Sequence, residues 1–109
     1  MRVHSALGPG LLESVYRTCL CHELTKRGLN VIQEKPVQIH YDGIVLPSGL
    51  RIDLVVEDTV VVEVKAVNRM VPLYESQLLS YLNLSGIRTG LLINFNVRHL
   101  RHGITRMVR

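Results

Sequence analysis

The sequence predicts an α/β fold in which helices flank a mixed sheet. Apolar residues recur at helical spacing between Leu11 and Arg27. Two valine-rich segments, 51–56 and 60–66, are typical of adjacent strands, and the apolar run 91–95 is typical of a central strand covered on both faces. Together with the strand and helix described below, the order of elements is α, β, β, β, α, β, which predicts a mixed central sheet between helices.

Length and composition bound the remaining possibilities. A chain of 109 residues is expected to form one domain over 1–109 with a single core. The formal net charge of +4 permits a polyanionic partner without requiring one. No apolar run approaches the ~18 residues of a membrane span, and no signal-peptide pattern is present, so we expect a cytoplasmic protein with no membrane partner.

The N-terminal elements are predicted to be helical. Residues 1–7 are expected to form the end of a helix that the turn Gly8-Pro9-Gly10 interrupts. The most regular apolar spacing in the chain follows, and it predicts a helix from 11 to 27 that Gly28 terminates.

The middle of the chain is predicted to be β structure. Val31 to Tyr41 has the composition of a strand, and Pro36 within it indicates an edge strand or a bulge. Asp42-Gly43 is typical of a turn, and Pro47-Ser48-Gly49 is interpreted as another turn before the valine-rich strands.

The C-terminal third is predicted to begin with a helix. Pro72 is typical of a first helical turn, and the helix is expected to run to about Leu84 and to be capped by Gly86. The central strand 91–95 comes next, and 103–109 is expected to add a last edge strand.

Two carboxylates and an amine interrupt the otherwise apolar strands. Asp53 lies in the first strand, and Glu63 and Lys65 lie in the second. Ionised side chains cost free energy in such strands unless they are paired or coordinate a metal. Strand alternation places Glu63 and Lys65 on the same face.

The length of the hairpin loop decides whether the two acids meet. A three-residue loop at 57–59, with Asp58 or Thr59 in the strained backbone position, would place Asp53 opposite Glu63 and on the face that Lys65 occupies. A two-residue loop would separate the carboxylates. In the first case the two acids provide the hard oxygen ligands that Mg²⁺ prefers.

Three motifs resemble the PD-(D/E)xK nuclease superfamily, and the resemblance covers nearly the whole chain. Asp53 followed by Glu63-Val64-Lys65 is similar to the D…(D/E)xK core, and the predicted element order is similar to the restriction-endonuclease-like core. The segment 10–16 reads Gly-Leu-Leu-Glu-Ser-Val-Tyr and resembles the signature of the GxxExxY proteins. The segment 77–81 is similar to the QxxxY helix motif of RecB-like members.

The resemblance implies a metal-dependent catalytic site. Asp53 and Glu63 would bind Mg²⁺, or Mn²⁺, together with the backbone carbonyl of Val64. Lys65 would orient the attacking water and neutralise charge on the phosphate. Glu13 would bind a second metal ion or its water.

Further residues would complete the site and bind nucleic acid. Gln77 and Tyr81 share a helix face and would hold a water, the lysine or a phosphate. Tyr16 would position Glu13 or contact substrate. Four arginines near the C-terminus would follow the nucleic-acid backbone: Arg98, Arg101, Arg106 and Arg109.

Each residue also has a structural interpretation. Asp53, Glu63 and Lys65 could form a salt-bridge ladder on an exposed hairpin. Glu13 could be an acid favoured by the helix dipole, and Tyr16 could be a core aromatic. Gln77 and Tyr81 could be ordinary helix-surface and core residues.

The sequence and the resemblance together predict a small metal-dependent nuclease that hydrolyses phosphodiester bonds, in DNA in preference to RNA. A domain of this size has little surface with which to grip a duplex, so a homodimer or a larger assembly is expected. One alternative is a catalytically silent module with a nuclease-like fold that binds nucleic acid or protein. Another is a metal-dependent hydrolase of a nucleotide or other small phosphoester.

Overall fold

The computed structural model describes residues 2–109 and has helices on both faces of a five-stranded sheet. The predicted α/β fold with a mixed sheet is therefore confirmed. The helices and strands are α1 (Arg2–Leu7), α2 (Glu13–Lys26), β1 (Val31–Tyr41), β2 (Ile44–Val56), β3 (Val60–Lys65), α3 (Pro72–Ser85), β4 (Thr89–Asn94), a 3₁₀ turn (Leu100–Gly103) and β5 (Ile104–Val108). Met1 of the predicted first helix lies outside the described residues.

The strands lie side by side in the order in which they occur along the chain. β3 and β4 pair in parallel, and the other neighbouring strands pair in antiparallel fashion. Because parallel strands end at the same edge of a sheet, Lys65 at the end of β3 lies opposite Asn94 at the end of β4. This edge carries the residues discussed below.

Two apolar clusters hold the helices against the sheet. On one face, which we call the α2 side, Tyr16 and Leu20 of α2 pack with Leu54, Val64 and neighbouring apolar residues. On the other face, the α3 side, the cluster consists of Val37, Ile52, Val55, Val61, Leu78, Tyr81, Leu82 and Leu92. Burial on both faces explains why the central strands read as continuous apolar runs.

The helix boundaries follow local signals with small shifts. α2 begins at Glu13, two residues after the predicted start, because the residues before it belong to the turn that contains Gly8-Pro9-Gly10. α3 begins at Pro72 as predicted, and Gly86 ends it with a left-handed φ of 76°. None of the helices in residues 2–109 has the length and apolar character needed to cross a membrane.

The β2–β3 hairpin has the predicted three-residue loop. Val56 pairs with Val60, and the loop between them is 57–59. Glu57 and Asp58 have positive φ values of 54° and 53°. Asp58 thus takes a strained position as expected, whereas the second one falls on Glu57 rather than on the residue after Asp58.

The prediction of a turn at Pro47-Ser48-Gly49 is wrong, because these residues continue β2. They form a bulge opposite the expected irregularity near Pro36, where the β1–β2 register shifts. The hydroxyl of Ser48 donates a hydrogen bond to the carbonyl of Val37 over 2.5 Å and accepts one from the N–H of Leu50 over 3.0 Å. The side chain thereby replaces a backbone bond, so the strand is not interrupted.

Candidate active site

Asp53 and Glu63 lie side by side where β2 and β3 separate. The N–H of Asp53 donates a hydrogen bond to Oε1 of Glu63 over 3.1 Å. The N–H of Val64 donates one to Oδ2 of Asp53 over 2.7 Å. Each carboxylate thus accepts a bond from a backbone donor beyond the last regular pair, Leu54 with Val62.

Asp53 departs from the regular alternation of β2. Leu54 packs on the α2 side, whereas Ile52, two residues earlier, packs on the α3 side. Regular alternation would place both on one face, so the strand is irregular at Asp53. The adjacent residue of β1, Glu34, has a φ of 49° and is irregular as well. Asp53 therefore meets Glu63 near the plane of the sheet, not strictly on one face of it.

Glu63 has a strongly perturbed carboxyl group. Its side chain is buried, with the residue only 6% exposed. Burial and then the negative charge of Asp53 raise the pKa of Glu63 from 4.5 to about 8. Burial and then the same two carboxylates also raise the pKa of Tyr81, which places this α3 residue within electrostatic reach of the pair. In the absence of a bound cation, Glu63 retains its proton at neutral pH.

Lys65 lies on the α3 side together with Glu63, in agreement with strand alternation. Its Nζ is 4.7 Å from the centroid of the Tyr74 ring of α3, a cation–π contact. No ion pair joins Lys65 to Asp53 or Glu63 within residues 2–109. Its charge lowers the pKa of Glu63, but this effect is smaller than the effects of burial and Asp53.

Arg17 of α2 contacts the site and was missed from the sequence. Its Nη1 lies 3.9 Å from Oδ1 of Asp53, and its Nη2 lies 3.5 Å from Oε1 of Glu34. Its Nε is buried and has no hydrogen-bond partner in the described part of the chain. Arg17 follows Glu13 by four residues, and this spacing on one helix face could have identified it.

Glu13 and Gln77 lie on the two helices that flank the acids, and both are exposed. Glu13 begins α2 one turn before Arg17, on the helix face that meets Asp53. Gln77 lies one turn before Tyr81 on α3. Neither one forms a hydrogen bond or an ion pair with any residue that the structure describes.

Tyr16 is part of the core, and the prediction that it contacts substrate is wrong. Its side chain is completely buried, and its ring stacks on Phe95 with centroids 4.6 Å apart. Its hydroxyl donates to the carbonyl of Gly8 over 2.5 Å and accepts from the N–H of Leu11 over 3.1 Å. Tyr16 thus anchors the turn that precedes Glu13.

The C-terminal arginines do not form one group. Arg98 and Arg101 line a common cavity of about 620 Å³, and Asp53, Glu63 and Lys65 are not part of its lining. Arg106 lies on β5 opposite Leu91 of β4. The side chain of Arg109 donates hydrogen bonds to the carbonyls at the end of α3, from Nη2 to Gly86 over 2.7 Å and from Nε to the next residue over 3.2 Å.

Asn94 organises the chain that leaves β3. It is only 3% exposed. Its Oδ1 accepts a hydrogen bond from the N–H of Val67 over 3.1 Å, and its Nδ2 donates to the carbonyl of the same residue over 3.0 Å. A lone amide at the end of the apolar run 91–95 was the available sequence signal, since a buried amide requires partners. The contact fixes the segment directly after Lys65.

The donor set of the acid pair fits a hard divalent cation. No group of three or more His, Cys, Asp or Glu side chains among residues 2–109 is arranged to hold a metal ion. Mg²⁺, however, is usually held by one or two carboxylates together with water and substrate phosphate. The raised pKa of Glu63 reflects its burial beside Asp53, and a cation bound between the two would offset that cost.

Comparison with known proteins agrees with this geometry. A search of curated proteins gave no significant match, and neither did a search of solved structures. A family model described as the PD-(D/E)XK nuclease superfamily matches residues 1–107. Its match extends over both helices and strands that surround Asp53 and Glu63. The chain therefore belongs to the PD-(D/E)XK nuclease superfamily.

Proposed function

We propose that this protein is a metal-dependent nuclease that hydrolyses phosphodiester bonds, in DNA in preference to RNA, and that it belongs to the GxxExxY branch. The contact between Asp53 and Glu63 carries the proposal. Two carboxylates joined through adjacent backbone N–H groups, one of them buried, cost free energy that a bound cation would offset. A surface salt-bridge ladder would not require a buried acid.

The metal ligands would be Asp53, Glu63 and the backbone carbonyl of Val64. Mg²⁺, or Mn²⁺ in its place, would polarise the phosphate and lower the pKa of a water when bound. Glu63 has to lose its proton before it can act as an anionic ligand, because its pKa is about 8 without a cation. Asp53 is held for this role by the N–H of Val64.

Lys65 would orient the attacking water and stabilise negative charge on the phosphate oxygens. Its contact with Tyr74 keeps the ammonium on the α3 side, where Glu63 also lies. Tyr81 keeps its hydroxyl proton because its pKa is raised, so it would donate a hydrogen bond to a water or a phosphate. Gln77 would support that contact from the preceding helical turn, and Glu13 would hold a water or a second ion from α2.

Nucleic acid would be bound by Arg98, Arg101 and Arg106, whose side chains project from the C-terminal part of the chain. Arginine forms paired hydrogen bonds with phosphate oxygens and contributes a salt-dependent affinity. The small size of the protein supports action as a homodimer or within a larger assembly.

The proposal is tested by assaying cleavage of linear, circular, branched and single-stranded DNA, and of RNA, with Mg²⁺ and with a chelator. We expect cleavage by the wild type to require the metal. Asp53→Ala should abolish it, and Lys65→Ala should reduce it about 10²- to 10³-fold, because each removes a charge used in the transition state. Circular dichroism checks that both variants remain folded. Equal residual activity in all three proteins would indicate a contaminant and contradict the proposal.

Two other functions predict different results. A silent binding module would bind the same nucleic acids without metal-dependent cleavage. A hydrolase of small phosphoesters would be inhibited as strongly by a mononucleotide as by an equal concentration of nucleotide residues in a long strand. Stronger inhibition by the long strand supports the nuclease, since several phosphates are then bound at once.

A further inference from the structure

A basic cavity of about 620 Å³ lies outside the acid pair, between the end of α1 and the segment that follows β4. Its lining includes Arg98, His99 and Arg101 on one side and His4, Gly8 and Pro9 on the other. We call it the basic cavity. Its volume is within the range of about 300–1,000 Å³ that is usual for ligand sites.

The charge of the basic cavity is uncompensated. Arg98 and Arg101 are exposed, and neither one forms an ion pair or a hydrogen bond within the described part of the chain. No acidic side chain contributes to the lining. Two guanidinium groups that converge on a concave surface without an anionic partner create a positive potential there, which favours a bound anion.

Hydrogen bonds fix the walls of the basic cavity. Nε2 of His4 lies 2.7 Å from the carbonyl of Val97 and joins α1 to the segment after β4. The N–H of Gly8 donates to the carbonyl of His4 over 2.8 Å, and Gly8 is held in turn by the Tyr16 hydroxyl. A Cβ atom at Gly103 would lie 2.2 Å from the carbonyl oxygen of Asn94, so the 3₁₀ turn packs tightly against the end of β4. A preformed site loses less entropy on binding.

The basic cavity opens at the same end of the sheet as the acid pair. The N–H of Phe95 donates to the carbonyl of Lys65 over 2.8 Å, which ties the start of the segment after β4 to the end of β3. The Phe95 ring stacks on Tyr16 and lies 6.3 Å from the ring of His4. One strand of nucleic acid that lies along this end of the sheet can therefore contact both places.

We propose that the basic cavity binds a phosphate group of the nucleic-acid strand whose neighbouring bond is cleaved. The proposal rests on the nuclease function proposed above and adds a defined contact to it. Arg98 and Arg101 would bind the phosphate oxygens, since guanidinium groups match them in geometry and charge. The volume exceeds that of a single phosphate, so the attached sugar would enter with it.

The test compares two double variants that remove the same charge. Arg98→Ala/Arg101→Ala empties the basic cavity of its guanidinium groups. The control, Arg27→Ala/Arg88→Ala, removes two exposed arginines from the opposite end of the sheet, after α2 and before β4. Binding of a fluorescent single-stranded oligonucleotide is measured by anisotropy with a chelator present, so that neither cleavage nor metal binding contributes.

We expect the cavity variant to bind about 10- to 100-fold more weakly than wild type and its salt dependence to fall by about one to two ion contacts. The control should change affinity by less than about threefold. Oligonucleotides with a terminal phosphate or a terminal hydroxyl distinguish the source of the bound group. A larger loss with the phosphorylated strand assigns a terminal phosphate, and equal losses assign an internal phosphodiester.

Equal effects of the two double variants would overturn the proposal, because net charge alone would then explain binding. Metal-dependent cleavage by the wild type is measured in parallel. If cleavage persists while the two variants bind alike, the basic cavity is not a phosphate site and the nuclease function stands. If cleavage is absent while the cavity variant alone loses binding, the cavity is retained and the nuclease function is not.

Discussion

At the scale of single residues, the central feature is the buried carboxyl group of Glu63 beside Asp53. A protonated Glu63 can share its proton with the neighbouring carboxylate, and the hydrogen bond between their side chains is one of the contributions that raise its pKa. Deprotonation without a cation would bury two adjacent negative charges. Protons and divalent cations should therefore compete for this position.

The raised pKa of Glu63 predicts that the metal-free protein loses stability as pH rises. Between pH 4.5 and about 8 the folded state holds a proton that the unfolded state releases, so the free energy of unfolding decreases through this range. Glu63→Gln removes this dependence and keeps a hydrogen-bonding side chain. We expect the variant to be about 1–3 kcal/mol more stable than wild type near pH 8, with little difference near about pH 5.

Chemical denaturation at both pH values, with a chelator present, measures this effect. Glu13→Gln is the control, since it makes the same change at an exposed position. Parallel pH profiles for wild type and Glu63→Gln would show that Glu63 ionises normally in the folded protein.

Part of this residue-scale geometry could be predicted from the sequence. The period of two along a strand was sufficient to place Glu63 and Lys65 on one side of the sheet. The position of Asp53 was not predictable in the same way, because it depends on the irregular backbone of Glu34 and on Arg17 from another element. These are contacts between distant parts of the chain, and local patterns do not specify them.

At the scale of elements, the β2–β3 hairpin brings the two acids together. Its loop length sets the register, and a change of one residue would exchange the faces of the side chains. Turn residues allowed the three-residue loop to be predicted. The bulge at Pro47-Ser48-Gly49 was mistaken for a turn because proline and glycine have the same composition signal in both, whereas the hydrogen bond from Ser48 to Val37 depends on the strand pairing.

The loop strain predicts that Asp58→Gly stabilises the protein. Asp58 has a φ of 53°, in a region that glycine adopts without steric cost. We expect a gain of about 0.5–1 kcal/mol in the free energy of unfolding, with unchanged nuclease activity. Thr59→Gly is the matched control and should destabilise by a similar amount, since the next residue has no positive φ to relieve. Urea denaturation of both variants measures the difference, and a loss of stability in Asp58→Gly would contradict the loop geometry.

At the scale of the whole molecule, the long β1–β2 hairpin extends beyond the rest of the sheet. Its end, residues 41–50, carries five exposed apolar side chains: Tyr41, Ile44, Val45, Leu46 and Leu50. Apolar residues grouped on a surface are typical of protein interfaces. This feature supports the proposed homodimer, and it could not be anticipated from the sequence because the predicted turn at 47–49 divided the strand.

The hairpin end predicts concentration-dependent association. Val45 is 54% exposed, and Val45→Lys should shift the protein toward monomer because it places a charge in the apolar surface. Ile104→Lys is the control at a comparably exposed position on β5, where 44% of the residue is accessible. Sedimentation velocity over a range of concentrations measures the change. A wild type that is monomeric throughout would contradict the homodimer.

Binding of a divalent cation by Asp53 and Glu63 is tested most directly by titrating the metal-free protein with Mn²⁺ and Mg²⁺ in a calorimeter at several pH values. We predict one principal site, with an apparent affinity that rises up to about tenfold per pH unit below pH 8 and with release of about one proton per ion bound near neutral pH. Asp53→Ala should lose this binding while remaining folded. Binding that is unchanged in Asp53→Ala, or that neither releases protons nor depends on pH, would contradict the account.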